Sequence, residues 1–406
     1  MATTSKEKEI LNVPPLRFRE FIGNWLPTKL SDLLLLQNGI NADSSKFGKG
    51  VKCISVSDIL SNSIVNYSCV VGSIDIDLET LKRFSVTNGD IIFQRSSETV
   101  EDIGHSNVYL DSKTATFGGF VIRGKKISGY HPLFLKFLLD SPTYRRQIIR
   151  LGAGAQHYNI GQAELNSVTL NIPKTKEQEK IAKFMSIVDQ RIETQKKIIE
   201  DIKLLSKAIR DRHFSQRPTR ICVYKDYIQT GKAGGTPKTN DPDYYGGAIP
   251  FLGISDITQQ GKHIRKTSKK ITQKGLDESA AWLVPPGSLI LSMYASVGLP
   301  AINDIALATS QAMYSAILQD PSEIEYLYQA LLFFREHGLR ALLETGTQSN
   351  INADEVNNIP IPRFSKNNES LFVRSEKIID KALHIEEKTI QEILEVKQYC
   401  LHEMFI

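Results

Sequence analysis

An α+β fold is predicted for these 406 residues: two mixed α/β segments separated by two long antiparallel coiled-coil helices, in a pseudo-twofold internal repeat. Three observations predict it. The second half echoes the first at a nearly fixed spacing, two stretches carry apolar residues every three or four positions over many turns, and short β-branched clusters bounded by Gly, Asn and Ser precede each stretch.

Ser57-Asp58-Ile59 returns as Ser255-Asp256-Ile257, and Gly89 with Ile91-Ile92 returns as Gly287 with Leu289-Ile290, both at a shift of 198. Leu135 matches Leu327 and Gly154 matches Gly346 at 192. Asn159-Ile160 with Asn350-Ile351, Asp189 with Asp380, Ile202 with Ile393 and Phe214 with Phe405 hold at 191. Length changes therefore sit in the earlier loops, where surface connections tolerate them. The back of each repeat keeps strict register, as a helix requires, since one inserted residue turns all that follows by about 100°.

In chain order, residues 1–15 are expected to be a flexible tail: Lys6 and Lys8 alternate with Glu7 and Glu9, without the apolar core of a secretory signal. Residues 16–174 form the first globular segment, with strands at Lys52–Val56 and Gly89–Phe93 and a helix over His131–Leu151. Residues 175–217 are the central spacer helix, Glu177–Phe214, striped by Ile181, Phe184, Val188, Ile192, Ile198, Ile202, Leu205 and Ile209. Residues 218–363 repeat the globular pattern, with strands at Ile249–Ile254 and Ser288–Leu291 and a helix over Ser322–Leu343. Residues 364–406 are the second spacer helix, Leu371–Phe405, striped by Ile378, Ile379, Leu383, Ile390, Ile393 and Val396. Each is too long and too narrowly striped for an ordinary core helix, so the two are expected to pack together.

Composition narrows the class. With 41% apolar and 23% charged residues the chain is ordinary for a globular protein, and no run approaches the roughly 18 apolar residues that span a bilayer. Cys53, Cys69, Cys222 and Cys400 form no Cys-x-x-Cys pair and read as inert thiols in a reducing cytoplasm. The net charge of +5 is weak evidence for a polyanionic partner. Its distribution says more: six basic residues and no acid lie between Lys262 and Lys274, and Arg145, Arg146 and Arg150 stand beside Tyr144. Each cluster reads as a phosphate contact or as a solvated face.

Catalytic chemistry leaves no signature. Gly152-Ala153-Gly154 lacks the third glycine of a dinucleotide loop and follows a helix, so it reads as a helix cap. Asp241-Pro242-Asp243-Tyr244 resembles the Asp-Pro-Pro-Tyr signature of amino-methyltransferases, but an acid replaces the second proline and no adenosylmethionine-binding glycine strand precedes it; it reads as a turn. The eight histidines include no His-Glu-x-x-His, no cysteines stand at zinc spacing, and His105, His131 and His337 read as surface or half-buried residues. There is no Gly-x-x-x-x-Gly-Lys-Ser/Thr loop for ATP. The expectation is a non-catalytic chain with no metal or cofactor of its own.

Four features carry a family resemblance: Val13-Pro14-Pro15-Leu16-Arg17-Phe18-Arg19-Glu20-Phe21 with Gly23 and Trp25; Gly234-Gly235-Thr236-Pro237 followed by Tyr244-Tyr245-Gly246-Gly247-Ala248-Ile249-Pro250-Phe251; Gly154-Ala155-Gln156 and Asn159-Ile160, matched by Gly346-Thr347-Gln348 and Asn350-Ile351; and the paired long helices. Together they resemble the specificity subunits of Type I restriction-modification systems across nearly the whole chain. Phe251 stands where the family's block carries Trp, and the first half has no Gly-Gly-Thr-Pro. The resemblance implies a cytoplasmic protein whose two target-recognition domains each read one part of a split, asymmetric site on double-stranded DNA. It implies that the helices set the spacing and bind two modification subunits. S-adenosylmethionine belongs to those partners, and ATP and Mg to two restriction subunits.

Reading base edges takes donors and acceptors on loops or helix ends, with cations on phosphates fixing register. The candidates in the first half are Lys46, Lys49, Arg95, Ser96, Ser97, Gln156, His157 and Tyr158; in the second they are Lys232, Thr236, Lys238, Tyr294, Ser296, Gln348, Ser349 and Asn350. Thr236 and Pro237 read equally as a plain turn, and Gln156 or Gln348 as a helix cap. The competing functions are a DNA-binding scaffold without base specificity and a stand-alone methyltransferase or nuclease.

Overall fold

A computed structural model describes residues 12–152, 154, 157–340 and 350–406. The chain divides into two compact units, Met1–Ile198 with Glu386–Ile406, and Ile199–Ile385. Of the tail expected over residues 1–15, residues 1–11 lie outside the described residues, and Asn12 is tied down: its carbonyl accepts from Trp25 N at 2.8 Å and its amide donates to Asn171 Oδ1 at 3.0 Å.

Short helical turns aside, unit 1 runs β1 (Leu26–Lys29), β2 (Leu34–Asn38), β3 (Phe47–Ile54), α1 (Val56–Ser61), β4 (Ser73–Ile74), β5 (Ile91–Gln94), β6 (Ser96–Ser97), β7 (Ser106–Val108), β8 (Thr116–Phe117), β9 (Val121–Lys126), α2 (Pro132–Asp140), α3 (Pro142–Leu151), β10 (Tyr158–Asn159), α4 (Gln162–Ser167) and β11 (Thr169–Ile172). The long helix α5 (Thr175–Phe214) follows. The main sheets are β2-β9-β5-β7 and β4-β3-β8. Strand β5 is buried on both faces: Ile91 and Phe93 enter a core with Trp25, Phe134 and Phe405, while Ile92 enters a second core with Ile54, Tyr109 and Phe117. That alternation is the period of two of a strand between two apolar layers.

Unit 2 repeats the plan with β12 (Arg220–Val223), β13 (Ile228–Ala233), β14 (Tyr245–Leu252), α6 (Ile254–Gln260), β15 (His263–Ile264), β16 (Lys269–Ile271), β17 (Leu283–Val284), β18 (Leu289–Ser292), β19 (Pro300–Asn303), β20 (Leu307–Thr309), β21 (Met313–Leu318), α7 (Ile324–His337), β22 (Pro360–Arg363) and α8 (Lys366–Glu403). Its sheets are β13-β21-β18-β19-β15 and β16-β14-β20-β17. Central strand β18 again divides its residues: Leu289 and Leu291 pack with Tyr314 and Leu327, Ile290 with Leu252 and Met313.

Two expected helices differ. His131–Leu151 breaks into α2 and α3 at Ser141, whose ψ of 148° is extended. The ring of Pro142 disfavours the helical conformation in the residue before it, and Pro142 has no N–H to continue the helical ladder. Ser322–Leu343 begins later, as α7 behind a short turn at Pro321–Glu323; its last predicted residues, 341–343, lie outside the described residues.

The long helices start before the predicted positions, each with a carboxylate in its first turn facing the positive helix end. Arg17 grips Glu177 through two bonds, at 2.7 and 2.8 Å, and Arg363 grips Glu369 at 2.8 and 2.6 Å. In unit 1, Lys397 Nζ on α8 meets Asp189 Oδ1 on α5 at 2.7 Å, and Gln195 donates to Glu386. In unit 2, Ser206 Oγ on α5 donates to Glu376 Oε2 on α8 at 2.7 Å, and the His213 ring on α5 stacks on Phe372 of α8. Within each unit rising numbers on α5 meet falling numbers on α8, so the packing is antiparallel. The seam is more polar than the expected stripe. Gln195 and Glu376 are buried, whereas Leu205, Ile378 and Val396 are exposed. Leu205 sits about 100° around the helix from Ser206, which takes the inward position.

Candidate nucleic-acid interface

Beyond the end of each central strand the same backbone bonds gather the same segments. In unit 1, Arg95 N donates to Phe120 O at 2.9 Å and Ile160 N to Arg95 O at 3.0 Å. In unit 2, Met293 N donates to Ala312 O at 2.7 Å and Ile351 N to Met293 O at 3.1 Å. A further turn docks beside each set: Gly39 N and Ile40 N bond to Val121 O and Phe117 O at 3.1 and 3.0 Å, and Gly234 N and Gly235 N to Met313 O and Thr309 O at 3.0 and 2.9 Å. A Cβ on Gly39 would lie 2.0 Å from Gly118 O, and one on Gly234 2.0 Å from Thr309 O, so both positions exclude a side chain. Gly39-Ile40-Asn41-Ala42 is therefore the first half's counterpart of Gly234-Gly235-Thr236-Pro237, which its sequence does not disclose.

In unit 1 this arrangement brings together Arg95, Ser96, Ser97, His157 and Tyr158. The Arg95 guanidinium donates to Gly119 O at 3.3 Å, Ser96 Oγ to Asn159 Oδ1, and Ser97 pairs with Tyr158 across β6 and β10. His157 is exposed. Gln156 lies outside the described residues. Lys46 and Lys49 stand apart from Arg95, on Lys46-Phe47-Gly48-Lys49-Gly50 at the entry of β3. There the pairing with β4 bulges between Phe47 and Val51, and Gly48 and Gly50 take φ of +96° and +88°, the left-handed region that favours glycine. Lys46 shares a hollow with Asn41, and Lys49 Nζ lies 3.1 Å from Asp75.

In unit 2, Thr236 Oγ1 donates to Gln311, so this residue ties the turn to the loop before β21 as well as standing at the site. Lys232, on β13 and two residues ahead of Gly234, holds its ammonium 5.1 Å from the Trp282 ring centroid. Lys238 and Tyr294 are exposed. Ala295 and Ser296 both have positive φ, +33° and +54°, and the Ser296 carbonyl accepts from Ser292 Oγ at 2.7 Å. Successive non-glycine residues in that region are strained, as functional loops often are. Asn350 is half-buried beside Ile351, while Gln348 and Ser349 lie outside the described residues.

Sequence reasoning missed Asn41, Phe120 and Gln311. Asn41 aligns with Thr236 only once the backbone bonds place the Gly39 turn, so the sequence alone carried no signal for it. The basic clusters turn out to be partly structural. Lys262 pairs with Glu325 and Asp380, Arg265 with Asp304, Lys274 with Asp243, and Arg145 donates to Glu101 O and Ile103 O. Lys266, Lys269, Lys270, Arg146 and Arg150 remain exposed. Asp241-Pro242-Asp243-Tyr244 is a short helical turn capped by Asp241, as expected.

Asp211, Glu336 and His337 bring ligand atoms within 4.8 Å of one another, a grouping that no sequence motif marks because its members are scattered along the chain. Lys207 and Arg210 already neutralise it: Arg210 Nη2 lies 2.9 Å from Glu336 Oε1, and Lys207 Nζ lies 3.4 Å from Asp211 Oδ2. Burial pushes the Cys53 thiol up to about 11, which suppresses the thiolate.

The family model "Type I restriction modification DNA specificity domain" matches residues 23–204 and 225–395. The chain is 32% identical over 96 residues to the Type I restriction enzyme MjaIX specificity subunit of Methanocaldococcus jannaschii, covering 23% of this chain and 22% of that one. It is 28% identical over 167 residues to the HindI specificity subunit of Haemophilus influenzae, covering 41% of this chain and 35% of the relative. These alignments span well under two thirds of either relative. The fold is similar to the crystal structure of a Type I restriction-modification S subunit from M. genitalium, with a TM-score of 0.57 at 14% identity over 97% of this chain and 99% of that one.

Proposed function

The chain belongs to the Type I restriction-modification DNA specificity family, and from that premise we propose that it is the DNA-recognition subunit of such a complex, reading a bipartite, asymmetric site and doing no chemistry itself. One observation carries this reading: a common backbone frame presents different side chains in the two units. Arg95, Ser96 and Asn41 occupy it in one; Met293, Tyr294 and Thr236 occupy the same places in the other. An equal frame with unequal donors and acceptors suits two unequal base sequences. On this reading residues 16–174 and 218–363 are the recognition domains, and 175–217 and 364–406 are the spacer helices.

Modification subunits dock on the long helices. Leu371, Ile378 and Ile385 recur every seven residues on α8 and are exposed, as are Leu204 and Leu205 on α5, a concentration of apolar surface that partner burial explains. S-adenosylmethionine, ATP and Mg reside on the modification and restriction subunits. The complex works in the cytoplasm; no helix among the described residues is long and apolar enough to cross a membrane.

Methylome sequencing of cells carrying this chain with its partner genes tests the proposal. A split motif is expected. Arg95→Ala should relax one base in one part of it, at about 1–3 kcal/mol of lost discrimination. Equal binding to base-substituted duplexes would instead make the chain a nonspecific scaffold.

A further inference from the structure

Unit 1 has an apolar cavity of about 510 Å³ beside the reading loops, lined by Asn41, Phe47, Cys53, Ser55, Gly119 and Phe120 among others. Its outer residues are aromatic and unusually exposed, Phe120 at 69% and Phe47 at 43%. Gly119 and Phe120 are the residues whose carbonyls accept from the Arg95 side chain and backbone, so the cavity is continuous with the candidate interface. Phe47 lies on the Lys46-Phe47-Gly48-Lys49 arm, where two exposed cations flank an aromatic ring. A Cβ on Gly119 would lie 1.9 Å from Asn41 Oδ1, so this glycine lets the Asn41 amide lie directly on the loop at the cavity.

The equivalent place in unit 2 is built differently. Phe251 stands where unit 1 has Cys53 and packs with Ile271, Ala281 and Ala308, and Ala312 stands where unit 1 has Phe120. One unit thus places its large ring in the layer beneath and a methyl at the tip. The other places a small thiol beneath and a phenyl in solvent.

Resting on the DNA-recognition reading above, we propose that this cavity receives one unstacked nucleobase of the target duplex. Phe120 acts as the wedge, Phe47 and the apolar walls take the base face, the Asn41 amide bonds its edge, and Lys46 and Lys49 hold the adjacent phosphates. Apolar wedges that part a base step, and pockets that hold a displaced base by stacking and edge hydrogen bonds, are established devices of DNA-binding proteins. The asymmetry between units means that only the half-site read by unit 1 is distorted in this way.

The test uses the full-length chain and a duplex bearing the methylated motif, with 2-aminopurine or pyrrolocytosine substituted one position at a time and permanganate reporting thymines. One position is expected to unstack on binding wild type. That signal should vanish in Phe120→Ala and in Cys53→Phe, which fills the cavity as Phe251 does, and both should bind the motif about ten- to a hundredfold more weakly. Phe120 is exposed, so its variant should melt as wild type does, and the unstacking signal in wild type requires no variant. If wild type prefers the motif over a scrambled duplex yet no base unstacks, or both variants bind as wild type, the cavity proposal is overturned while the recognition reading stands. If wild type binds motif and scrambled duplex alike, the recognition reading falls and this proposal with it.

Discussion

Glu376 and His213 lie in the same unit, both almost wholly buried, and they answer pH in opposite directions. The Glu376 carboxylate accepts from Ser206 and Gln329 through one oxygen only, and burial, with Asp380 adding to it, pushes its pKa up to about 7 from an ordinary 4.5. The folded state therefore holds this proton better than the unfolded chain does. Its contribution to stability is complete below about pH 4.5 and is lost as pH rises through 7. Glu376→Gln should raise the melting temperature at pH 8, by up to about 3 kcal/mol in stability, and change little at pH 4.5; lower melting at both values would refute this. The His213 ring is stacked on Phe372, centroids 4.1 Å apart, with the edges of Phe214, Phe364 and Tyr326 around it. Burial lowers its pKa to about 4 from 6.5, against the pull of Glu369. Here stability is intact above pH 6.5 and lost as pH falls through 4, so His213→Phe should flatten the acid limb of a stability profile between those values. A limb as steep as that of wild type would show that other groups set it.

The long helices show what a periodic pattern can and cannot disclose. Apolar residues at spacings of three and four announced α5 and α8 because helix geometry repeats that way whatever surrounds it. Their inward faces were not legible, since the seam is joined by polar pairs, Asp189 with Lys397, Gln195 with Glu386 and Ser206 with Glu376, while Leu371 and Ile378 face solvent. A one-sequence reading assigns apolar residues to the inside; here Leu371 and Ile378 lie outside, where the proposed docking of modification subunits would cover them. Leu371→Glu with Ile378→Glu should therefore leave the isolated chain folded, within about 0.5 kcal/mol of wild type. It should weaken capture of the modification subunits at least tenfold in a pull-down titration. Unchanged capture would place the partners elsewhere. The break at Ser141 was legible in Pro142.

At the scale of the molecule, the repeat was legible wherever side chains recur, as in Ser57-Asp58-Ile59, and illegible wherever only backbone bonding recurs. Gly39-Ile40-Asn41-Ala42 shares one glycine with Gly234-Gly235-Thr236-Pro237, yet each turn makes the same pair of backbone bonds. A site framed by main-chain bonds can change its side chains freely, which is the property a reader of variable DNA needs. Among the described residues each hydrophobic cluster also draws on one unit alone: Trp25, Phe134 and Phe405 in the first, Phe214, Tyr326 and Phe372 in the second. Residues 218–363 lie wholly within Ile199–Ile385, so their replacement leaves the cores of the first unit intact. Replacing 218–363, together with Arg210 whose partners Gln329 and Glu336 lie in that segment, with the aligned residues of another family member, while keeping Phe214, Phe372 and the seam residues Ser206 and Glu376, should give a folded subunit. In cells with the partner genes, the methylated motif should change in one part and keep the other. A motif altered in both parts, or in neither, would mean that base choice is not divided between the two frames.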